Sequence, residues 1–315
     1  MSPAISSAAS STGPVGVPTG LAALGTEQAN PRTGGLDTMS TMDLLAVMNA
    51  EDQTVAAAVQ RVLPDIARAV DLVVAARRAG GRLVYLGAGT SGRLGLLDAV
   101  ECPPTFGTRP EEVLGLVAGG SGAFAVAVEG AEDDPELGVA DLRSVDLGPA
   151  DVVVGLAASG RTPYVIGALG HARSVGAATV SVACNPGAPI SALADVAIEV
   201  DTGPEVLTGS TRLKAGTAQK MVCNMLSSAA MVHSGKVYGN LMVDVRPTNA
   251  KLVDRARRII ATAAAVDDDA AARAFRAAGG HAKTAIVMLL AGCTAAEARD
   301  RLEQHAGHVR EAVRP

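Results

Sequence analysis

Tryptophan is absent from the 315 residues of this chain, and phenylalanine and tyrosine occur only three times each. That excludes an aromatic platform under a sugar ring and a row of rings on which nucleic-acid bases could stack. It also means that the core has to be built from Ala, Val and Leu. Cysteine is scarce: Cys102, Cys184, Cys223 and Cys293 lie far apart without CxxC spacing. Such a pattern suits reduced thiols in the cytoplasm and neither a disulfide framework nor a zinc site. No apolar run approaches the roughly 18 residues that a membrane span requires. There is no surplus of positive charge either, since the formal net charge is -5. Nucleic acid and anionic membranes are therefore not expected partners, and any anion must be held by a local site. The five histidines, His171, His233, His281, His305 and His308, form no metal set. His305 and His308 could meet on a helix face, but a surface pair is the simpler reading.

What is present supports one full-sized core and a smaller unit, with 48% hydrophobic and 19% charged residues. The opening MSPAISSAASSTGPVGVPTG has neither a basic start nor an apolar run, so it reads as a disordered leader and not as a signal peptide. Residues 40–80 carry a helical pattern capped by Ser40 and Thr41, with Pro64 separating two helices and Gly80-Gly81 as the stop. Short apolar runs then recur at residues 82–86, 113–118, 152–157, 178–183 and 196–200. Helical stretches separate most of them, which predicts an α/β fold with a doubly wound parallel sheet and a ligand beyond the strands' carboxyl ends. After Asn249 the pattern is purely helical. The expected organisation is a leader (1–25), a catalytic α/β domain (26–250) and a small helical appendage (251–315).

Three loops carry anion-binding chemistry. LGAGTSGR, residues 86–93, has the glycine spacing of a dinucleotide fingerprint, but the second strand ends Ala118-Gly119-Gly120 where an acid would be needed for the ribose. The loop instead offers backbone N–H groups at a helix start through Gly89 and hydroxyls at Thr90 and Ser91, which suits a terminal phosphate. GLAASGRTP repeats the arrangement after another strand with Ser159, Gly160 and Thr162. TGSTRLKAGTAQK supplies Ser210, Thr211 and Lys214 at a third helix start. Each hydroxyl taken alone could be a helix cap. Three such starts in one domain point to an anionic ligand.

Among the acids, Glu101 precedes Cys102-Pro103-Pro104, where the chain is expected to leave a buried helix and to shield the carboxylate partly from water. VEGAEDDPE adds Glu129 and Glu132, equal candidates by spacing, while Asp133, Asp134 and Glu136 read as a solvated turn.

The strings TEQANP, LGAGTSGRLGLLDAVECPPTFG, VEGAEDDPE, DVVVGLAASGRTPYV, CNPGAP, GPEVLTGSTRLKAGTAQKMVCNML and GKVYGNLMVDVRPTNAKL closely resemble the N-acetylmuramic acid 6-phosphate etherases of the sugar isomerase (SIS) fold superfamily. The resemblance runs from about Thr26 to the C-terminus. It implies a cofactor-free, cytoplasmic lyase that cleaves the C3 lactyl ether in cell-wall amino sugar recycling. Two glutamates act in that family, and they carry over to Glu101 and Glu132. Ser121 replaces the family's usual acidic residue or alanine, a departure outside these strings. An elimination needs a base and an acid in opposite protonation states; Glu101 is expected to be the acid and Glu132 the base, with the exchange of roles left open. Ser91 and Glu101 bracket ten helical residues, about 15 Å at 1.5 Å per residue, too far to serve one sugar from one chain. Either the phosphate sits at the Ser159 and Ser210 loops, or Glu101 enters the site of a second subunit in a homodimer, as analogy with SIS proteins favours. The alternatives are a sugar-phosphate-sensing regulator, which would need neither glutamate, and an aldose-ketose isomerase, which would release no lactate.

Overall fold

The computed structural model describes residue 20 and residues 24–126, 128–247 and 249–314, so the expected leader lies outside the described residues except near its end. The central sheet contains β1 (Leu83–Gly87), β2 (Val113–Val117), β3 (Val152–Leu156), β4 (Ala178–Ala183) and β5 (Val196–Glu199). All pairings are parallel, in the order β2-β1-β3-β4-β5. The two-residue period of a strand distributes these side chains between two cores. Leu83, Tyr85, Val152, Val154, Val180 and Val182 face one, and Val84, Leu86 and Val153 face the other.

The first core is closed by α1 (Thr41–Arg61), α2 (Leu63–Arg78), α6 (Lys214–His233) and the buried side of α3 (Gly89–Phe106). The second is closed by α4 (Pro135–Ser144) and α5 (Pro163–Ser174) through Leu142, Tyr164, Val165 and Leu169. Pro64 stands in the first turn of α2, where no intrahelical donor is needed. The chain moves outward from β1 to β2 and then crosses back to β3, so the strand order reverses between β1 and β3. Gly87 pairs with Leu156, and the loops after these two strands therefore open side by side.

One boundary differs from expectation. α3 does not end near Glu101 but continues through Pro103 and Pro104 to Phe106, where Gly107 closes it with φ +64° and an N–H donated to the Pro103 carbonyl. Both prolines sit in the final turns, and only the carbonyls of Ala99 and Val100 lose a donor. Glu101 is exposed. The expected shielding of its carboxylate is not found within the single chain.

A short hairpin, β6 (Val237–Tyr238) with β7 (Leu241–Met242), leads to α7 (Ala250–Ala264), α8 (Asp268–Ala277), α9 (Ala282–Ala291), α10 (Ala295–Gln304) and α11 (Val309–Ala312). These helices surround their own core of Val243, Ile260, Phe275, Ile286 and Leu302. Asn249, Asp267, His281 and Thr294 cap the first four helices through their side chains.

The connection to the bundle is fixed by Asp244, which pairs with Lys283 at 2.6 Å, Lys236 at 3.1 Å and His281 at 3.4 Å. Burial alone would raise the Asp244 carboxyl. The hydrogen bond with His281 and the charges of Lys283 and Lys236 outweigh it and lower the carboxyl from 3.8 to about 2. A depressed carboxylate pKa stabilises the fold above the unfolded value, and this contribution is lost as the pH falls from about 4 through about 2. The shift corresponds to roughly 2 kcal/mol. Asp244→Asn is expected to lose that pH-dependent part and to leave Lys283 charged and unpaired, a loss of about 3 kcal/mol at neutral pH. Urea denaturation of both proteins at pH 7 and pH 3 checks this, because the gap between them should narrow in acid.

Candidate active site

The site begins with the contact of α3 on β1. A Cβ at Gly92 would lie 2.3 Å from the Gly87 carbonyl oxygen, and one at Gly95 would lie 2.8 Å from the Tyr85 Cβ. Only glycine lets the helix start directly on the strand. The first turn of α3 has no side-chain cap. Its leading N–H groups, from Gly89, Thr90 and Ser91, are thus left for an external acceptor at the positive end of the helix dipole.

The other two helix starts are already engaged. At α5, Pro163 has no N–H and Tyr164 donates its own to the Glu132 carbonyl at 3.1 Å, which fixes Glu132 beside the turn. At α6, the buried Glu205 carboxylate accepts from the backbone N–H of Lys214 at 2.9 Å and of Ala215 at 3.0 Å. Burial raises the Glu205 carboxyl despite those bonds. The Lys214 side chain is also buried, and its ammonium meets Glu51 at 2.9 Å while Arg32 binds the same carboxylate. Burial works against ionisation of Glu51, but the hydrogen bonds from Lys214 and Arg32 hold its carboxyl below the usual range. Lys214 is therefore corrected from the set of expected substrate-binding residues. It is an internal tie whose partner lies far away in sequence.

Beyond the carboxyl ends of β1 and β3 is a cavity of about 500 Å³. Gly89, Thr90 and Ser91 form one wall; Ser159 and Thr162 form another, and Thr211 contributes from the third loop. Gly160 is buried within its turn and Ser210 precedes Thr211, but neither belongs to the wall. Glu132 and Asp133 also line the cavity. Glu132 is shared with an adjoining cavity of about 250 Å³ that contains Arg93 and Glu129. Glu101 reaches neither. It is ten residues beyond Ser91 on a continuous helix, hence about 15 Å away.

Three further residues belong to the site and were not singled out by sequence reasoning. Glu27 enters the cavity because Asn185 clamps the preceding residue, accepting from the Thr26 N–H at 3.3 Å and donating to the Thr26 hydroxyl at 3.0 Å. TEQANP and CNPGAP, which contain these residues, contact each other only in the fold. Arg161 lines the same wall as Ser159. Gln219, fully buried on α6, accepts from the Ser91 hydroxyl at 2.8 Å, while its own Nε2 has no partner among the described residues. Turning that amide would give Nε2 the Ser91 oxygen as acceptor and leave the Ser91 proton for an anion.

A doubly wound parallel sheet with an uncapped helix start and clustered hydroxyls at its switch point is the class of α/β protein that binds a ligand beyond its strands' carboxyl ends, and the family it belongs to is shown by comparison. Residues 141–229 match the SIS domain family, and residues 65–173 match the glucokinase regulatory protein N-terminal SIS domain. Over 293 residues, covering 93% of this chain and 98% of the relative, it is 64% identical to an N-acetylmuramic acid 6-phosphate etherase from Mycolicibacterium smegmatis. An etherase of the same name from a Geobacillus species is 61% identical, covering 92% of this chain and 98% of its own length. A phosphoheptose isomerase from Neisseria gonorrhoeae overlays with a TM-score of 0.46 at 18% identity, covering 60% of this chain and all of that one. The chain belongs to the N-acetylmuramic acid 6-phosphate etherase family.

Ser91→Ala and Ser159→Ala are each expected to weaken binding of a sugar 6-phosphate by ~10-fold or more, because a hydrogen bond to a charged group contributes about 1.5–3 kcal/mol. Lys214→Met should instead lower the unfolding midpoint. Calorimetric titration together with thermal melts of the three variants separates these outcomes.

Proposed function

We propose that this chain cleaves the C3 lactyl ether of N-acetylmuramic acid 6-phosphate, giving N-acetylglucosamine 6-phosphate and D-lactate. The observation that carries the reading is a carboxylate, Glu132, in one cavity with an uncapped helix start and the hydroxyls of Thr90, Ser91, Ser159 and Thr162. The near-full-length identity with etherases supports the same activity. A sugar-phosphate regulator or an aldose-ketose isomerase is not favoured by these relatives.

An alkyl ether resists hydrolysis near neutral pH, and the sugar itself has to supply the activation. Opening of the ring exposes a C1 aldehyde, which acidifies the C2 hydrogen. With the phosphate held at the start of α3, Glu132 takes that proton as general base. The C2–H electrons pass onto the C1 carbonyl as an enolate; the enolate then expels the lactyl oxygen from C3 and leaves a C2–C3 double bond beside the restored aldehyde, while a carboxylic acid gives its proton to the departing oxygen. Water then adds back across the double bond.

The acid is Glu101 in this proposal, delivered by a second copy of the chain. Leu97, Val100, Glu101 and Pro104 form one exposed stripe of α3, with Leu97 44% and Val100 54% accessible. Burying that stripe against a partner would remove apolar surface from water and carry the Glu101 carboxyl toward the partner's cavity. The homodimer thus completes two sites and supplies the shielding that the single chain lacks. We place the reaction in the cytoplasm, in recycling of cell-wall amino sugars. No described helix is long and apolar enough to cross a membrane, and the four cysteines are free thiols.

The test is incubation with N-acetylmuramic acid 6-phosphate and a lactate assay, alongside exchange of the C2 hydrogen of N-acetylglucosamine 6-phosphate in deuterated water. Glu132→Gln is expected to abolish both. Glu101→Gln should lower lactate release by the ~10²- to 10⁴-fold typical of a lost general acid while exchange survives. The reverse pattern would exchange the two roles, and full lactate release by either folded variant would remove that residue from the mechanism.

A further inference from the structure

We infer that Arg161 is the specificity-determining residue that receives the carboxylate of the lactyl group. The inference rests on the proposed ether cleavage, whose substrate carries two anions, a phosphate at C6 and a carboxylate on the C3 substituent. The start of α3 and the clustered hydroxyls are neutral donors suited to the phosphate. The second anion must enter a cavity that already contains Glu27, Glu132 and Asp133, so like-charge repulsion requires a compensating cation. Among the described residues lining this cavity, Arg161 is the one that carries positive charge. Of the neighbouring cations, Arg93 lines the adjoining cavity and turns its Nε to the carbonyls of Ala123 and Phe124, and Lys214 is paired with Glu51.

Arg161 itself has unused capacity. Among the described residues its Nε is buried without a hydrogen-bond partner and its guanidinium forms no ion pair. A buried donor without an acceptor is unfavourable unless a ligand supplies one. The planar edge that contains Nε suits a carboxylate with two parallel oxygens. The side chain is half-buried, and a Cβ built on Gly20 would lie 3.4 Å from its Nη2, so the end of the leader packs on it.

The backbone beneath Arg161 is held in place. Its N–H donates to the Ser159 hydroxyl at 3.3 Å, and the Gly160 carbonyl accepts from the Ile190 N–H at 3.1 Å. Gly160 has φ +71°, and a Cβ there would meet the Ala188 Cβ at 2.3 Å. The turn that presents the guanidinium is therefore fixed before substrate arrives. Ser159 and Arg161 on one turn would then read the two anionic ends of one molecule.

The experiment compares two reactions of the same site in wild type, Arg161→Met and Arg161→Lys. Lactate release from N-acetylmuramic acid 6-phosphate requires recognition of the lactyl carboxylate. Deuterium exchange at C2 of N-acetylglucosamine 6-phosphate does not, because that sugar has no lactyl group. Arg161→Met is expected to lose roughly 10- to 100-fold in kcat/KM for lactate release, with exchange nearly unchanged and Arg161→Lys intermediate. The wild type should also discriminate against the lactyl methyl ester, and Arg161→Met should not. Surviving exchange shows that the variant is folded and still binds phosphate. Equal loss of both reactions would assign Arg161 to the phosphate or to the fold and overturn the inference, as would unchanged lactate release. A wild-type protein that exchanges C2 hydrogen but releases no lactate would sink the etherase reading, and this inference with it.

Discussion

The direct seating of α3 on β1 is the contact on which the site depends. Side chains at Gly92 and Gly95 would collide with the Gly87 carbonyl and with Tyr85, so the helix can approach the strand only because both positions lack a Cβ. Close packing of a helix on a strand in this way aims its uncapped first turn at the space beyond the carboxyl ends. The same helix then runs without interruption to Phe106. One rigid element thereby sets both the cavity wall at Thr90 and Ser91 and the position of Glu101 about 15 Å away.

The remaining walls are fixed by polar ties that span long stretches of chain. Lys214 would be out of place at the positive end of α6 if it stood alone. Glu205 satisfies the first N–H groups of that helix, and Glu51 neutralises the ammonium. A buried pair of this kind adds little net stability over an apolar packing, but removing one partner is strongly destabilising, so it specifies one arrangement. That arrangement includes Arg32 and, through Asn185, the segment that presents Glu27.

The sheet was legible in the sequence because its strands are short, mostly apolar runs separated for the most part by helical patterns. The loops that line the cavity were legible because glycines and hydroxyls follow two of those strands. Other features were hidden for physical reasons. The end of α3 was misplaced because Pro103 and Pro104 ordinarily stop a helix, whereas here they lie in its last turns, where few donors are lost. Lys214 gave the signal of an anion-binding cation, and nothing local reveals that its counter-charge is Glu51. Arg161 lies within GLAASGRTP with no local mark of its own, since exposure and pairing are properties of the fold. Gln219 carries no motif at all, and its contact with Ser91 exists only because α3 and α6 pack together.

Glu101 connects these observations to the assembly. It stands on a stripe with Leu97, Val100 and Pro104 that a single chain leaves in water, and it lies outside the cavity that contains Glu132. Both facts have one explanation if each site takes Glu132 from one subunit and Glu101 from the other. The most direct measurement is therefore complementation between Glu101→Gln and Glu132→Gln proteins, each inactive alone, unfolded and refolded together. Random pairing makes half of the dimers mixed with one intact site of two, so lactate release should return to about a quarter of the wild-type rate. No recovery from a mixture in which mixed dimers have been demonstrated would contradict the shared site.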